Sequence, residues 1–424
     1  MIRKITRRRF GGWVGAGAVA TQSLAGVRVA RAAKPRVVVV GGGAGGATAA
    51  RYVASAGDID VTLIEANKSY TTCFFSNLYL GGFRSLQSIT HRYDRLSEKF
   101  GIGVINAIAS AVDVDKKEVV LADGDRIGYD KLILAPGIDF KYDAIEGYGP
   151  EAETRMPHAY KAGMQTKLLR DQVMAMEDGG VVCIAPPPNP FRCPPGPYER
   201  ASMIAHYLKQ HKPKSKLVIV DAKNEFSKQA LFEEGWARFY PDIIEWLPEE
   251  LTGGIGAVDP KAMAVITEAE SIKASVINVI PPQHAGAIAR SAGAADASGW
   301  CPVHAATLAS KRLPDIHLVG DAIIPGDMPK SGFSANSQAK VCANAIAAEL
   351  LSKQAIRPSF LNTCWSLVAT DHGIKVGAAY EATDEKIKKT SGFISKVNEA
   401  DDVRAMTANE ANAWYAGITQ DIFA

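Results

Sequence analysis

The run Arg36 to Glu65, RVVVV-GGGAGG-ATAARYVASAGDIDVTLIE, constrains the chain more than any other stretch. A short apolar strand, Val37 to Val40, enters a turn in which Gly41, Gly43 and Gly46 keep the G-x-G-x-x-G spacing. A helical stretch follows, then a second strand ending in Glu65. Gly41 permits the tight turn, Gly43 lets backbone N–H groups approach a pyrophosphate, and Gly46 lets helix and strand pack closely. The helix N-terminus supplies partial positive charge. Glu65, about 20 residues on, stands where an acid accepts hydrogen bonds from a ribose diol. Glycines alone would be an ordinary turn. Strand, glycines, helix, strand and terminal acid in this order point to a bound dinucleotide.

The segment before this fold reads differently. Thr6-Arg7-Arg8-Arg9-Phe10 precedes a weakly apolar, glycine-rich stretch and then Ala30-Arg31-Ala32. Charged start, apolar middle and small-residue site read as an export signal over residues 1–33, and the arginines before Phe10 resemble a twin-arginine signal. A periplasmic location is the expectation. The stretch is too short and glycine-rich for a comfortable membrane span, and no later segment reaches about 18 consecutive apolar residues. The formal net charge of +3 is small and partly owed to this segment, so nothing argues for nucleic acid. The six cysteines are spaced too widely for zinc, and no C-x-x-C-H occurs for haem attachment.

Two later stretches separate FAD from NAD. Tyr129 to Gly137, YDKLILAPG, is an apolar strand entering a proline-glycine turn, and Ile316 to Ala322, IHLVGDA, is a strand ending in Gly320-Asp321. Both resemble stretches of two-dinucleotide-domain flavoproteins, in which Gly137 would close the first part of the FAD domain and Asp321 would reach the ribityl and phosphate part of FAD. The expected fold is α/β with two Rossmann-like folds, the second inserted in the first. Residues 34–140 and 276–350 would form the FAD domain, 141–275 the inserted domain and 351–424 a C-terminal interface domain. In the inserted domain, strands at Gly179–Ile184 and Lys216–Asp221 flank a helix, yet the glycine turn is replaced by Ala185-Pro186-Pro187-Pro188-Asn189-Pro190. Proline has no N–H to donate and its ring fills the space of a phosphate. The second fold is expected to bind no nicotinamide nucleotide.

The motifs CPPGPYER, GWCPV, KSGFSANSQAKV and FLNTCWS, in this order after the glycine turn, resemble the flavoprotein subunit of flavocytochrome c sulfide dehydrogenase. The resemblance covers nearly the whole chain after the export segment, down to Trp414-Tyr415 and Asp421-Ile422-Phe423. It implies that Cys73 bonds through sulfur to the flavin 8α-methyl group, although the Thr71-Thr72 doublet before it departs from the family loop. It implies that Cys193 and Cys364 form a redox disulfide beside the isoalloxazine ring, and that Glu199 accepts a proton there. Plainer readings stand beside these: a stabilising disulfide, a buried free thiol at Cys73, and an ion pair of Glu199 with Arg200 or Arg192. Cys183, Cys301 and Cys342 read as structural.

Thiol–disulfide chemistry suits this set, because hydrosulfide can open a disulfide and leave a persulfide and a thiolate. Lys330 to Asn336 leads toward a helix expected over Ser337 to Leu351, whose N-terminus, with Ser334 and Asn336, would face the flavin. Lys330 would add positive charge there or lie solvated at the surface. The chain shows no second redox centre, so the resemblance implies a separate c-type cytochrome subunit as electron acceptor. The expected activity is FAD-dependent oxidation of sulfide to sulfur or polysulfide. The rival enzyme is a sulfide:quinone oxidoreductase, disfavoured by the polar stretch Val397 to Ala424. A non-catalytic flavin-bearing subunit is the other rival. The aromatics of the tail read as an interface or as internal packing.

Overall fold

Val37 to Val40 are all buried, and β-branched side chains covered on both faces suit the centre of a parallel sheet. In the computed structural model, which describes residues 33–424, Arg36–Val40 pairs in parallel with Asp60–Ile64 and Lys131–Leu134. The sheet runs Ile316–Leu318, Lys131–Leu134, Arg36–Val40, Asp60–Ile64, Gly103–Ile105. All strands run parallel, but the order in which successive strands are added reverses at the central strand, and in such a sheet ligands bind outside the strand C-termini at that point. Gly41, Ala135 and Gly320 stand near those C-termini. All of the export segment read over residues 1–33 except Ala33 lies outside the described residues.

The inserted fold has a second parallel sheet, ordered Ile244–Leu247, Lys216–Val220, Val181–Ala185, Val276–Val279. This moves one expected boundary. Val276–Val279 was expected to open the returning FAD domain but is the last strand of the inserted one. A short run of buried apolar residues carries no mark of the sheet it will join. The two links between the domains pair with each other, Ile138–Phe140 antiparallel to Gln283–Ala285.

The helix expected at Ser337 begins earlier, at Gly332, and runs to Leu350. Ser331 caps it, its Oγ accepting the Ser334 N–H at 3.0 Å. It packs against the glycine-turn helix Ala44–Ser55. The tail forms an antiparallel sheet, Ser359–Ala369, His372–Ala382 and Ile387–Ile394, followed by the helix Asp401–Phe423. That helix is spent on the inside of the molecule. Tyr415 stacks on Phe75 at 4.4 Å and Phe423 on His91 at 5.0 Å, while Trp365 stacks on Trp414 at 5.3 Å. Internal packing therefore accounts for most of the tail aromatics, whereas Phe393 is 52% exposed. Among the described residues, no helix is long and apolar enough to cross a membrane.

Candidate functional site

A cleft of about 660 Å³ lies at the C-terminal ends of the first sheet. Gly41, Gly43, Glu65, Cys73, Gly137 and Asp321 all line it. Gly41 has φ +101°, and a Cβ there would stand 2.4 Å from the Ala135 carbonyl oxygen. A Cβ on Gly46 would stand 1.8 Å from the Gly41 carbonyl oxygen, so Gly46 acts behind the cleft wall, as a packing residue. Gly43 has room for a side chain against Tyr70 at 3.4 Å; its bareness keeps the cleft open. Glu65 Oε2 accepts the Gly42 N–H at 2.7 Å and Oε1 accepts the Asn67 N–H at 2.9 Å, which fixes the acid at the cleft rim.

The lining fits FAD. The glycine helix carries no acidic residue in its first turn to compete for its free N–H groups. Two buried polar atoms of cleft-lining residues, Asp321 Oδ1 and Arg192 Nη2, have no protein partner, and such atoms are rare unless a ligand or water meets them. Arg192 Nη1 stands 3.5 Å from Asp321 Oδ2. Burial raises the Cys73 thiol pKa, against the pull of the Arg192 guanidinium. The Thr71-Thr72 doublet is accommodated: Thr72 Oγ1 lies 3.0 Å from the Tyr415 hydroxyl.

Cys73 and Arg192 also line a small second chamber, and Cys193 stands on its wall. Cys193 occupies the left-handed region, φ +54°, just before the helix Gly196–His211. Its N–H donates to the Lys330 carbonyl and its own carbonyl accepts the Gly196 N–H, both at 2.8 Å. Burial pushes the Cys193 thiol well up, and the strongest charge acting with burial is that of Cys364. Cys364 lies on the strand Ser359–Ala369, its sulfur 3.5 Å from Asn362 Nδ2. The structure therefore brings Cys193, Cys364 and Glu199 together next to the cleft. None of the six cysteines is bridged in this structure, so the Cys193–Cys364 bridge stays an expectation from the resemblance.

Glu199 pairs with neither Arg200 nor Arg192. Its Oε1 accepts the Leu367 N–H at 2.9 Å and its Oε2 accepts from Asn77 Nδ2 at 2.8 Å. Arg200 is taken up by Asn278 Oδ1, 2.8 Å away, and by the His158 and Ala159 carbonyls. Burial holds the Glu199 carboxyl above its ordinary value despite these donors.

Other expected site residues lie elsewhere. Ser334 and Asn336 sit inside the helix and do not line the cleft. Ser334 Oγ donates to Asn362 Oδ1 at 3.1 Å, steadying the strand of Cys364. Asn336 Nδ2 donates to Thr48 Oγ1 and to Asp421 Oδ2, both at 2.9 Å. The reason is the earlier helix start, which turns both side chains into helix-to-helix and helix-to-strand ties. Lys330 is neither solvated nor aimed at the cleft: it is buried, donates to the Asp321 and Ile323 carbonyls and lies 3.7 Å from the Trp300 ring centre. Cys183, Cys301 and Cys342 are fully buried. Two cations near the cysteines were missed. Arg192 adjoins Cys193 in sequence and was weighed only as an ion-pair partner. Lys228 gave no signal, standing in the mostly polar run Lys223 to Gln229.

The position of a ribose acid in the second fold is closed. Asp221, at the end of Lys216–Val220, is fully buried, with Oδ2 accepting from the Tyr198 hydroxyl at 2.6 Å and from Trp246 Nε1 at 3.0 Å. Lys223 Nζ bridges Asp221 Oδ1 and the Pro187 carbonyl.

Comparison with known proteins agrees with this arrangement. Residues 166–281 match the family model of the sulfide dehydrogenase [flavocytochrome c] flavoprotein chain, central region. Residues 356–423 match the flavocytochrome c sulphide dehydrogenase flavin-binding model, and residues 35–174 match the pyridine nucleotide-disulphide oxidoreductase model. The chain is 23% identical over 303 residues to the mitochondrial sulfide:quinone oxidoreductase of Mus musculus, covering 67% of this chain and 65% of that protein. It is 32% identical over 176 residues to the sulfide-quinone reductase of Aquifex aeolicus, covering 41% and 39%. These matches thus span less than two thirds of either relative. The crystal structure of the Aquifex aeolicus sulfide:quinone oxidoreductase shares the fold, with a TM-score of 0.71 at 19% identity over 91% of this chain and 92% of that one. Over 43 residues, 10% of this chain and 90% of the relative, the chain is 54% identical to the sulfide dehydrogenase [flavocytochrome c] flavoprotein chain of Chlorobaculum thiosulfatiphilum. With a cofactor cleft and a cysteine pair meeting at Cys73 and Arg192, the chain belongs to the family of flavocytochrome c sulfide dehydrogenase flavoprotein chains.

Proposed function

We propose that this chain oxidises sulfide to sulfur or polysulfide with FAD in the cleft, and passes the electrons to a c-type cytochrome subunit. The observation that carries the reading is the gathering of Cys193, Cys364 and Glu199 beside the wall that Cys73 and Arg192 share with the cleft. In the oxidised enzyme the two cysteines form a disulfide. Hydrosulfide attacks one sulfur, the S–S bond breaks, and the other sulfur leaves as thiolate. Glu199, fixed by Leu367 and Asn77, holds or accepts a proton at the pair.

FAD, held by the Gly41–Gly46 turn, Glu65, Gly137 and Asp321, supplies when bound a two-electron acceptor able to release electrons singly. The glycine-turn N–H groups would cradle its pyrophosphate, Asp321 and Arg192 would complete the polar wall, and Cys73 would be the point of covalent attachment. Export by a twin-arginine-type signal to the periplasm suits a chain that folds around a cofactor and meets an exported cytochrome.

Anaerobic mixing with sulfide tests the reading. Sulfide should bleach the flavin absorbance, and added cytochrome c should restore it. Failure of sulfide to bleach the flavin would reject the activity; restoration by a quinone analogue and not by cytochrome c would reject the acceptor. Acid precipitation tests the attachment separately. Flavin should remain in the pellet of the native protein and pass to the supernatant for Cys73→Ala.

A further inference from the structure

Lys228 is 6% exposed, yet among the described residues no carboxylate stands within ion-pair distance of it. Its ammonium donates to Ser366 Oγ at 2.7 Å and to the Cys364 carbonyl at 3.2 Å, two neutral acceptors on the strand that carries the cysteine. The ring of Phe232 lies 5.7 Å away. Its backbone is in the left-handed region, φ +64°, at the entry to the helix Gln229–Phe239. A buried ammonium with no carboxylate in contact is costly, and a left-handed backbone at a non-glycine position adds to the cost. Such an arrangement persists where the charge has work to do.

The ionisable groups acting on this ammonium are Cys364 on its strand, Glu199 on the helix Gly196–His211 and Cys193 in the loop before that helix. Cys73, Arg192 and Arg200 act on Cys193 as well. Lys228 and Glu199 both anchor to one stretch of strand, Lys228 at Cys364 and Ser366, Glu199 at Leu367. Opposite charges thus sit along the strand segment of Cys364.

We infer that Lys228 is a positioning residue for the cysteine pair, the resident positive charge that balances the thiolate released when the Cys193–Cys364 bond opens. The inference rests on the sulfide reading given above and names a group which that reading did not include. In the opening step, the hydrosulfide sulfur bonds to one cysteine sulfur and the S–S electron pair leaves with the other. No outside oxidant is needed, and one negative charge enters a buried site that already holds Glu199. Lys228 is the cation tied to that strand. Burial lowers its pKa to about 8, so its charge is present at neutral pH and is lost as the pH rises through that value.

The test uses the flavin-loaded protein as wild type, Lys228→Met and Lys228→Arg. Flavin content and reduction by dithionite should be the same in all three. Sulfide-dependent bleaching should slow on the order of tenfold or more in Lys228→Met and largely recover in Lys228→Arg. The wild type should lose rate above about pH 8, and the arginine variant, charged throughout, should not. A Lys228→Met rate within about twofold of wild type, or the same alkaline fall in wild type and Lys228→Arg, would overturn the inference. A second measurement is independent of sulfide: equilibration of the cysteine pair in thiol–disulfide buffers. There, Lys228→Met should make the bridge harder to reduce, by about tenfold in the equilibrium constant. An unchanged midpoint, or a wild type in which the two cysteines never bridge, would also overturn it. If sulfide fails to bleach the wild type but the midpoint shifts as expected, the substrate assignment falls and the role of Lys228 stands.

Discussion

At the scale of single residues, the proposed chemistry rests on sulfur at two positions and on one buried acid. Cys193→Ser and Cys364→Ser are each expected to abolish sulfide-dependent reduction while keeping flavin, because a serine oxygen forms no persulfide and is a poor leaving group. Turnover and thermal melting on the same samples check this; near-normal turnover in a less stable variant would mean a merely structural pair. Glu199 gives a pH signature. Burial holds its carboxyl above the ordinary range, so its base form is lost as pH falls through that raised value. Wild-type reduction should therefore fail on the acid side earlier than an ordinary carboxylate would make it. Glu199→Gln should be slower on the order of a hundredfold and lack that part of the acid limb. The glycine spacing, Glu65 and Asp321 were legible in the sequence because each stands at a fixed offset from a strand. Arg192 and Lys228 were not, since their roles arise where distant segments meet and a basic residue in a polar loop reads as solvated.

At the scale of elements, the same strand–helix–strand unit occurs twice with opposite outcomes. In the first, glycines and a bare helix start leave open N–H groups; in the second, prolines replace N–H donors at the turn and Asp221 is sealed. NADH and NADPH are accordingly expected to leave the flavin oxidised in anaerobic mixing, whereas rapid bleaching by either would show a usable second site. The proline run made this readable from sequence. The helix start was less readable: Gly332 and Ser334 look like loop residues until Ser331 is seen to cap them. The boundary at Val276 failed for a different reason, since local composition does not choose between two parallel sheets.

At the scale of the whole molecule, the tail holds the parts together. Arg404 of the last helix is fully buried and meets Glu234 at 3.0 Å and Glu399 at 3.2 Å, tying the tail to the helix that Lys228 begins. Arg404→Ala leaves two carboxylates without their cation and is expected to cost on the order of 3–5 kcal/mol, read as a lower denaturation midpoint. The sequence showed that a tail domain exists and that it carries Cys364, but not that its aromatics face inward, because an aromatic does not announce which surface it meets.

Asp421 receives hydrogen bonds from Asn336 and from Tyr52, which lies on the helix of the opening glycine turn. Tyr52 and Asp421 stand 369 residues apart in sequence. The helix that opens the cofactor cleft is thus clasped only after a distant stretch of chain has folded back onto it, and a contact of such long range forms late rather than early in folding.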